Sequence, residues 1–335
     1  MCAMDFKICA IGCGGIANSV HGPAYQRFAE RYPQAQLAAC CDKDGEKAAG
    51  FAAKFGFKTY YTDMHAMLQT EAPAAVCLSV PAHLTAGIAA AVLKQGYPLL
   101  MEKPPGLNRE ETLAIMRAAA ESGTPNMVAF NRRHMPVIVE LKRLLSLEHR
   151  PEDLHSIQYD LYRSNRRDAD FAETAIHAID TVRYLAGSDY AHIAFQYQEL
   201  PGAGPGVANI FMVCRMVSGA TARLNICPVA GITMERAAVS VLNSTYFAEF
   251  PVWNSVDFPG RIRCFVKDKP VIGVGGEDLH ESPDMSVTNG FFQENEAFFL
   301  DIMAGREPPG NVAAALQSVE IADCIRHRAT EYRRE

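Results

Sequence analysis

Up to about residue 130, short runs of uninterrupted apolar residues alternate with longer stretches of helical pattern. Residues 4–17 hold a short apolar strand that runs straight into glycines, and residues 36–41 form a second strand. Helix is expected over 45–55, strand over 58–61 and a further helix over 64–69. A buried strand follows at 74–80, a helix at 83–95, a strand at 98–101, a helix at 109–122 and a sixth strand at 126–130. Strands that are apolar throughout, each separated from the next by a helix, predict a parallel sheet covered on both faces. That is a doubly wound α/β fold, in which ligands lie beyond the carboxyl ends of the strands.

The pattern changes after residue 130. A helix is expected over 137–147, an alternating strand over 156–163 and a helix over 172–186. Strand-like runs then follow at 193–200, 208–217, 221–229, 236–242, 246–250, 261–267 and 271–274. Closely spaced strands without intervening helices predict an antiparallel sheet. Helices over 290–303 and 312–328 close the chain. With 335 residues, too many for one core of ordinary size, two domains are expected, 1–130 and 131–335.

Composition narrows the function classes. Hydrophobic residues at 49% and charged residues at 21% are ordinary for a globular chain. A net charge of −6 with no basic block argues against nucleic acid or an anionic membrane surface as partner. No apolar run approaches the roughly 18 residues of a membrane helix, and no basic-then-apolar leader is read at the start, so a cytoplasmic location is expected. Seven of the ten cysteines (Cys9, Cys40, Cys41, Cys77, Cys214, Cys227 and Cys264) sit in apolar runs, as buried thiols in a reducing compartment do. No C-x-x-C pair or clustered Cys/His spacing points to a metal site. Cys13, inside the glycine turn, is expected to be exposed and oxidisable, without a catalytic role.

The glycine turn carries the most chemistry. Gly12, Gly14 and Ala17 have the spacing G-x-G-x-x-G/A. The first glycine permits a tight turn, the second lets backbone approach a pyrophosphate, and the small third residue lets a helix lie against the sheet. Gly15 and Ile16 complete the turn and belong to the same expected cofactor contact, at a helix N-terminus whose N–H groups favour phosphate. Asp42 directly follows the second strand, where a carboxylate accepts the hydroxyls of an adenosine ribose and repels a 2′-phosphate. NAD is therefore expected, with NADP kept open by the neighbouring Lys43. The competing reading is a βα turn that binds nothing, with Asp42 as a helix cap.

Two further constellations stand out. Glu102-Lys103-Pro104 follows the fifth strand, where a lysine would sit at the cofactor rim with an ammonium able to stabilise a developing alkoxide. A solvated turn charge competes evenly with that role. On the 172–186 helix, Glu173, His177 and Asp180 stand at i, i+4 and i+7 and share one face. A histidine beside carboxylates is a natural general base, although a histidine paired structurally is the commoner case.

Taken together, the glycine turn, Val80-Pro81-Ala82-His83, Glu102-Lys103-Pro104, Phe130-Asn131-Arg132-Arg133 and the helix with His177 and Asp180 resemble the Gfo/Idh/MocA oxidoreductases over nearly the whole chain. The resemblance implies a Rossmann domain followed by an α/β domain on a large open, mainly antiparallel sheet, through which a homodimer or homotetramer forms. It implies that Lys103 and His177 are catalytic; Glu173 and Asp180, on the same helix face, are expected to orient the histidine. Pro81, His83 and Glu102 would contact the nicotinamide side of the cofactor, and Arg132 and Arg133 would lie near the domain junction or serve as structural cations. The implied reaction is hydride transfer between nicotinamide and a secondary alcohol of a sugar, cyclitol or similar polyol, with no metal. Inositol-type members have aspartate where this chain has Glu173, which leaves an inositol substrate open. An NAD-dependent glycosidase and a non-catalytic NAD-binding regulatory protein are the alternatives.

Overall fold

The computed structural model describes residues 5–334, so Met4, at the head of the first expected strand, lies outside the described residues. Two compact units divide the chain. The first runs to Asn131 and resumes over Gly290–Val319; the second holds Arg132–Asn289 and resumes at Glu320.

The first unit is a six-stranded sheet in the order β3-β2-β1-β4-β5-β6. Its strands are β1 (Phe6–Ile11), β2 (Ala35–Cys41), β3 (Thr59–Tyr61), β4 (Ala75–Leu78), β5 (Leu99–Glu102) and β6 (Asn126–Ala129). Every pairing among them is parallel. The connecting helices are α1 (Gly22–Arg31), α2 (Gly45–Phe55), α3 (Met64–Glu71), α4 (Ala82–Lys94) and α5 (Arg109–Ser122). A π-helical turn, Ala17–His21, leads into α1 and was not foreseen from the pattern. Asp44 caps α2 by accepting from the N–H groups of Glu46 and Lys47, and Asn108 caps α5 through Glu111; these are the residue types that satisfy orphan N–H groups best.

The second unit is a nine-stranded sheet in the order β14-β13-β12-β11-β7-β10-β9-β8-β15. Its strands are β7 (Leu154–Ser164), β8 (Tyr190–Glu199), β9 (Ala208–Met216), β10 (Thr221–Ala230), β11 (Met234–Val241), β12 (Ser244–Phe250), β13 (Arg261–Val266), β14 (Lys269–Gly275) and β15 (Glu331–Arg333). All neighbours pair antiparallel except β7 and β10, which run parallel. Helices α6 (Pro136–Glu148) and α7 (Ala172–Ala186) pack on one face. On the other, Val213, Phe247 and Val271 are exposed. The remaining helices are the short α8 (Met285–Thr288), α9 (Phe291–Met303) and α10 (Val312–Arg326). Helix α9 packs on α1 in the first unit, with Phe299 against Phe6, Tyr25 and Phe28.

The nine cysteines among the described residues are free, and six of the seven placed in apolar runs are buried, Cys227 being half-buried. Cys13 corrects the expectation of exposure. It is 1% accessible, because its side chain turns inward beneath the glycine turn with its thiol 3.8 Å from the carbonyl of Cys41. A hydrogen bond with the Cys40 thiol and burial both push the Cys13 thiol upward, so it is no thiolate and no ready oxidation site.

Candidate active site

In the first unit the expected cofactor residues collect along one edge of the sheet. Gly12 leaves β1 at φ +92°, and a Cβ there would fall 2.0 Å from the carbonyl oxygen of Ser79 at the end of β4. Only glycine permits that crossing. Gly14 and Gly15 are different, since a Cβ on either would meet nothing within 4 Å. Gly14, Gly15 and Ile16 are exposed, whereas Ala17 is buried against the sheet. The turn therefore offers open backbone ahead of a helix, as a pyrophosphate cradle requires.

Asp42 leaves β2 beside this turn. Its Oδ2 accepts the Cys13 N–H at 2.9 Å and its Oδ1 the Asp44 N–H at 3.0 Å, which fixes the carboxylate and leaves lone pairs for further donors. Lys43 is exposed beside it. Pro81 and His83 follow β4 and are exposed at the start of α4.

Glu102 ends β5 and Lys103 follows it. Glu102 Oε1 lies 2.8 Å from His21 Nε2, and Oε2 accepts the backbone N–H of Lys103 at 3.0 Å. Burial alone would raise the Glu102 carboxyl, but His21 and Lys103 hold it below the ordinary carboxylate value. On the other side of the His21 ring, Asn295 Nδ2 lies 3.2 Å from Nδ1 and also donates to the Phe291 carbonyl at 2.7 Å. That amide orientation makes Nδ1 an acceptor, so His21 is the Nε2–H tautomer, donating to Glu102. His21 and Asn295 were not singled out in the sequence, where nothing local connects residues 274 positions apart.

In the second unit α7 carries the other candidates. His177 is 8% exposed, Asp180 is buried and Glu173 is half-buried. Asp180 accepts a bidentate pair from Arg133, at 2.7 and 2.6 Å. Arg132 brings Nη1 to 3.5 Å from His177 Nε2 and binds Glu235 at 2.8 and 3.4 Å. A guanidinium has only donors, so the lone pair on Nε2 faces it and the neutral ring carries its proton on Nδ1. Glu235 is fully buried, bonded also by Arg163 and by the Tyr159 hydroxyl at 2.6 Å. Burial would raise its carboxyl, yet Arg132 and Arg163 bring it down to about 2. Arg163, Tyr159 and Glu235 carried no signal in the sequence, because charged residues on separate strands reveal their pairing only when the strands are registered.

Residues 6–130 match the family model described as oxidoreductase family, NAD-binding Rossmann fold, GFO_IDH_MocA. Over that stretch the chain is similar to the Gfo/Idh/MocA oxidoreductases. A levoglucosan dehydrogenase of Pseudarthrobacter phenanthrenivorans is 28% identical over 195 residues, covering 52% of this chain and 50% of that one. An inositol 2-dehydrogenase 2 of Saccharopolyspora erythraea is 29% identical over 191 residues, covering 56% and 55%. The chain thus spans about half the length of these curated relatives. A solved levoglucosan dehydrogenase, in complex with NADH and levoglucosan, has a TM-score of 0.82 over 98% of this chain and 99% of that chain, at 20% identity. At that identity the likeness shows the fold alone.

Among the described residues no group of three or more His, Cys, Asp or Glu is placed to hold a metal ion. No helix among them is long and apolar enough to cross a membrane.

Proposed function

We propose that this protein is an NAD-dependent oxidoreductase that transfers a hydride between nicotinamide and a secondary alcohol carbon of a sugar, cyclitol or similar polyol. The observation that carries the reading is the alignment of Asp42, the glycine turn, Pro81 with His83, and Lys103 at the carboxyl ends of β2, β1, β4 and β5. Those four neighbouring strands span three inter-strand spacings, about 14 Å, the reach of an extended dinucleotide lying across the switch point. The substrate class rests on the relatives named for levoglucosan and inositol.

Gly14, Gly15 and Ile16 hold the pyrophosphate in a turn shaped by Gly12 and Ala17, and Asp42 takes the ribose hydroxyls. Pro81, His83 and Glu102 support the nicotinamide end. The negative charge of Asp42 favours NAD over NADP, against which the exposed Lys43 works only weakly. Bound NAD supplies the hydride acceptor. His177 accepts the hydroxyl proton of the substrate, and Lys103 donates a hydrogen bond to a substrate oxygen. Glu173 and Asp180 position the α7 face, Asp180 through its hold on Arg133. The free thiols favour a cytoplasmic location, and the exposed Val213, Phe247 and Val271 favour a homodimer or homotetramer joined through the sheet.

The test is a spectrophotometric screen of sugars, cyclitols and other polyols with NAD and with NADP, following reduced cofactor. Turnover of at least one polyol with NAD is expected. Tight NAD binding without turnover of any panel member would overturn the enzymatic reading, and glycoside hydrolysis without net reduced cofactor would replace it with a hydrolytic one.

A further inference from the structure

The segment between β12 and β13 contains unusual backbone. Trp253 has φ +56° and ψ +26°, and Asn254 follows at φ +47°. Two successive non-glycine residues in the left-handed region are uncommon, and for a bulky aromatic the conformation is a genuine outlier. Such a conformation persists only where its surroundings over-determine it, and it concentrates at ligand clamps and active sites.

The surroundings do over-determine it. Asn289, itself 2% exposed, accepts the Trp253 N–H at 2.7 Å and donates to the Pro251 carbonyl at 3.0 Å. Thr288 donates to the Asn254 side chain at 2.6 Å, and Asn254 donates to the Pro283 carbonyl at 3.0 Å. Ser255 bonds the Thr233 carbonyl at 2.8 Å, and Asp257 pairs with Arg236 at 2.9 and 2.7 Å. A loop fixed this firmly still leaves Trp253, the chain's single tryptophan, 37% exposed.

Its place in the sheet gives that exposure a meaning. Phe250, the last residue of β12, pairs with Glu235 at the start of β11. Glu235 holds Arg132, and Arg132 lies 3.5 Å from His177 Nε2. The end of β7 joins the same corner through the bond from the Ser164 N–H to Thr233. Trp253 therefore leaves the sheet at the end that carries His177, three residues beyond the strand position paired with Glu235.

We propose that Trp253 is a substrate-binding residue, its indole face forming the apolar wall against which the C–H face of a sugar or cyclitol ring lies. A rigid aromatic gives contact area at little entropic cost and sorts ring stereochemistry by which faces present C–H rather than O–H groups. This rests on the oxidoreductase reading above.

The test uses the full chain, with the panel substrate of highest kcat/KM. Trp253→Asn removes the aromatic face and installs a residue that tolerates the left-handed region. The expected result is a KM raised about tenfold, kcat within about twofold, unchanged NAD affinity and an unfolding midpoint equal to or above that of the parent. Trp253→Phe retains most of the affinity. Sugar added to the parent protein shifts or quenches its single tryptophan emission over the concentration range of KM. A KM unmoved in Trp253→Asn, or emission unaltered at saturating sugar, overturns this inference while turnover by the parent leaves the oxidoreductase reading standing. Absence of turnover by the parent removes both.

Discussion

His21 donates its Nε2–H to Glu102 at 2.8 Å, immediately before the lysine assigned to the chemistry. Glu102 in turn accepts the backbone N–H of Lys103, so the imidazole steadies the lysine's main chain from one residue away. In His21→Ala a buried carboxylate loses its principal donor, which costs about 1–3 kcal/mol. The depressed Glu102 carboxyl contributes stability that is present above its unfolded value, near 4.5, and lost as pH falls through the lower folded value. The stability gap between parent and variant in urea unfolding is therefore expected to be full at pH 7 and to close on acidification below about 4.5. A gap that does not vary with pH would mean that the imidazole acts by packing alone.

The glycine turn separates a structural glycine from one kept for a ligand. An added methyl in Gly12→Ala must displace the Ser79 carbonyl and occupy a left-handed backbone, for about 3 kcal/mol or more of lost stability. In Gly14→Ala the methyl enters open space, and stability is expected to stay within about 1 kcal/mol of the parent. NAD affinity measured by calorimetry should nonetheless fall at least tenfold, because the methyl stands where a pyrophosphate approaches. Undiminished NAD binding by Gly14→Ala would remove that turn from the cofactor site.

Much of the first unit was legible because its strands are buried on both faces and read as uninterrupted apolar runs. The 45–55 and 109–122 helices match α2 and α5 residue for residue. In the second unit the strands were legible but their partners were not. Alternation within β7 and β10 says which face is buried, and nothing in it says that these two lie side by side and parallel. The polar edge strand β15 has no apolar pattern to betray it. The same limit hid half of the His177 surroundings. The sequence marks Arg132 only as a residue near the domain junction or a structural cation, while its partner Glu235, 103 positions away, becomes visible only once β11 is registered beside β7.

That pairing yields a prediction about acid. Glu235 is held to about 2 by two guanidinium groups, against an ordinary value of 4.5. It contributes stability above about pH 4.5 that is lost progressively as pH falls toward 2. Glu235→Gln removes the charge from a buried cluster and leaves Arg132 and Arg163 undercompensated, which costs about 3–5 kcal/mol at pH 7. Denaturant unfolding between pH 7 and pH 3 should show a steeper acid loss for the parent than for the variant. Parallel acid limbs would mean that the arginines do not set this carboxyl.

Asp42 tests cofactor choice without touching the chemistry. In Asp42→Ala the proposed ribose acceptor disappears along with the anchors of the Cys13 and Asp44 N–H groups. NAD affinity is expected to fall tenfold or more, while NADP loses less because the repulsion on its 2′-phosphate goes too. The ratio of the two dissociation constants should therefore move toward NADP, and a ratio unchanged from the parent would assign Asp42 to the turn alone.

The assignment of the two polar roles can be tested without knowing the natural substrate. Lys103 directly follows β5, a different strand from those that lead into the glycine turn and Asp42. Lys103→Ala is accordingly expected to lower kcat by at least a hundredfold on any accepted polyol, with NAD affinity within about threefold of the parent. His177→Ala should lower kcat similarly, since the proposed proton acceptor is gone. If both groups serve one reacting oxygen, the double variant loses far less than the product of the single losses. Losses that multiply would mean that the ammonium and the imidazole act on separate steps, and full activity in Lys103→Ala would take the lysine out of the reaction.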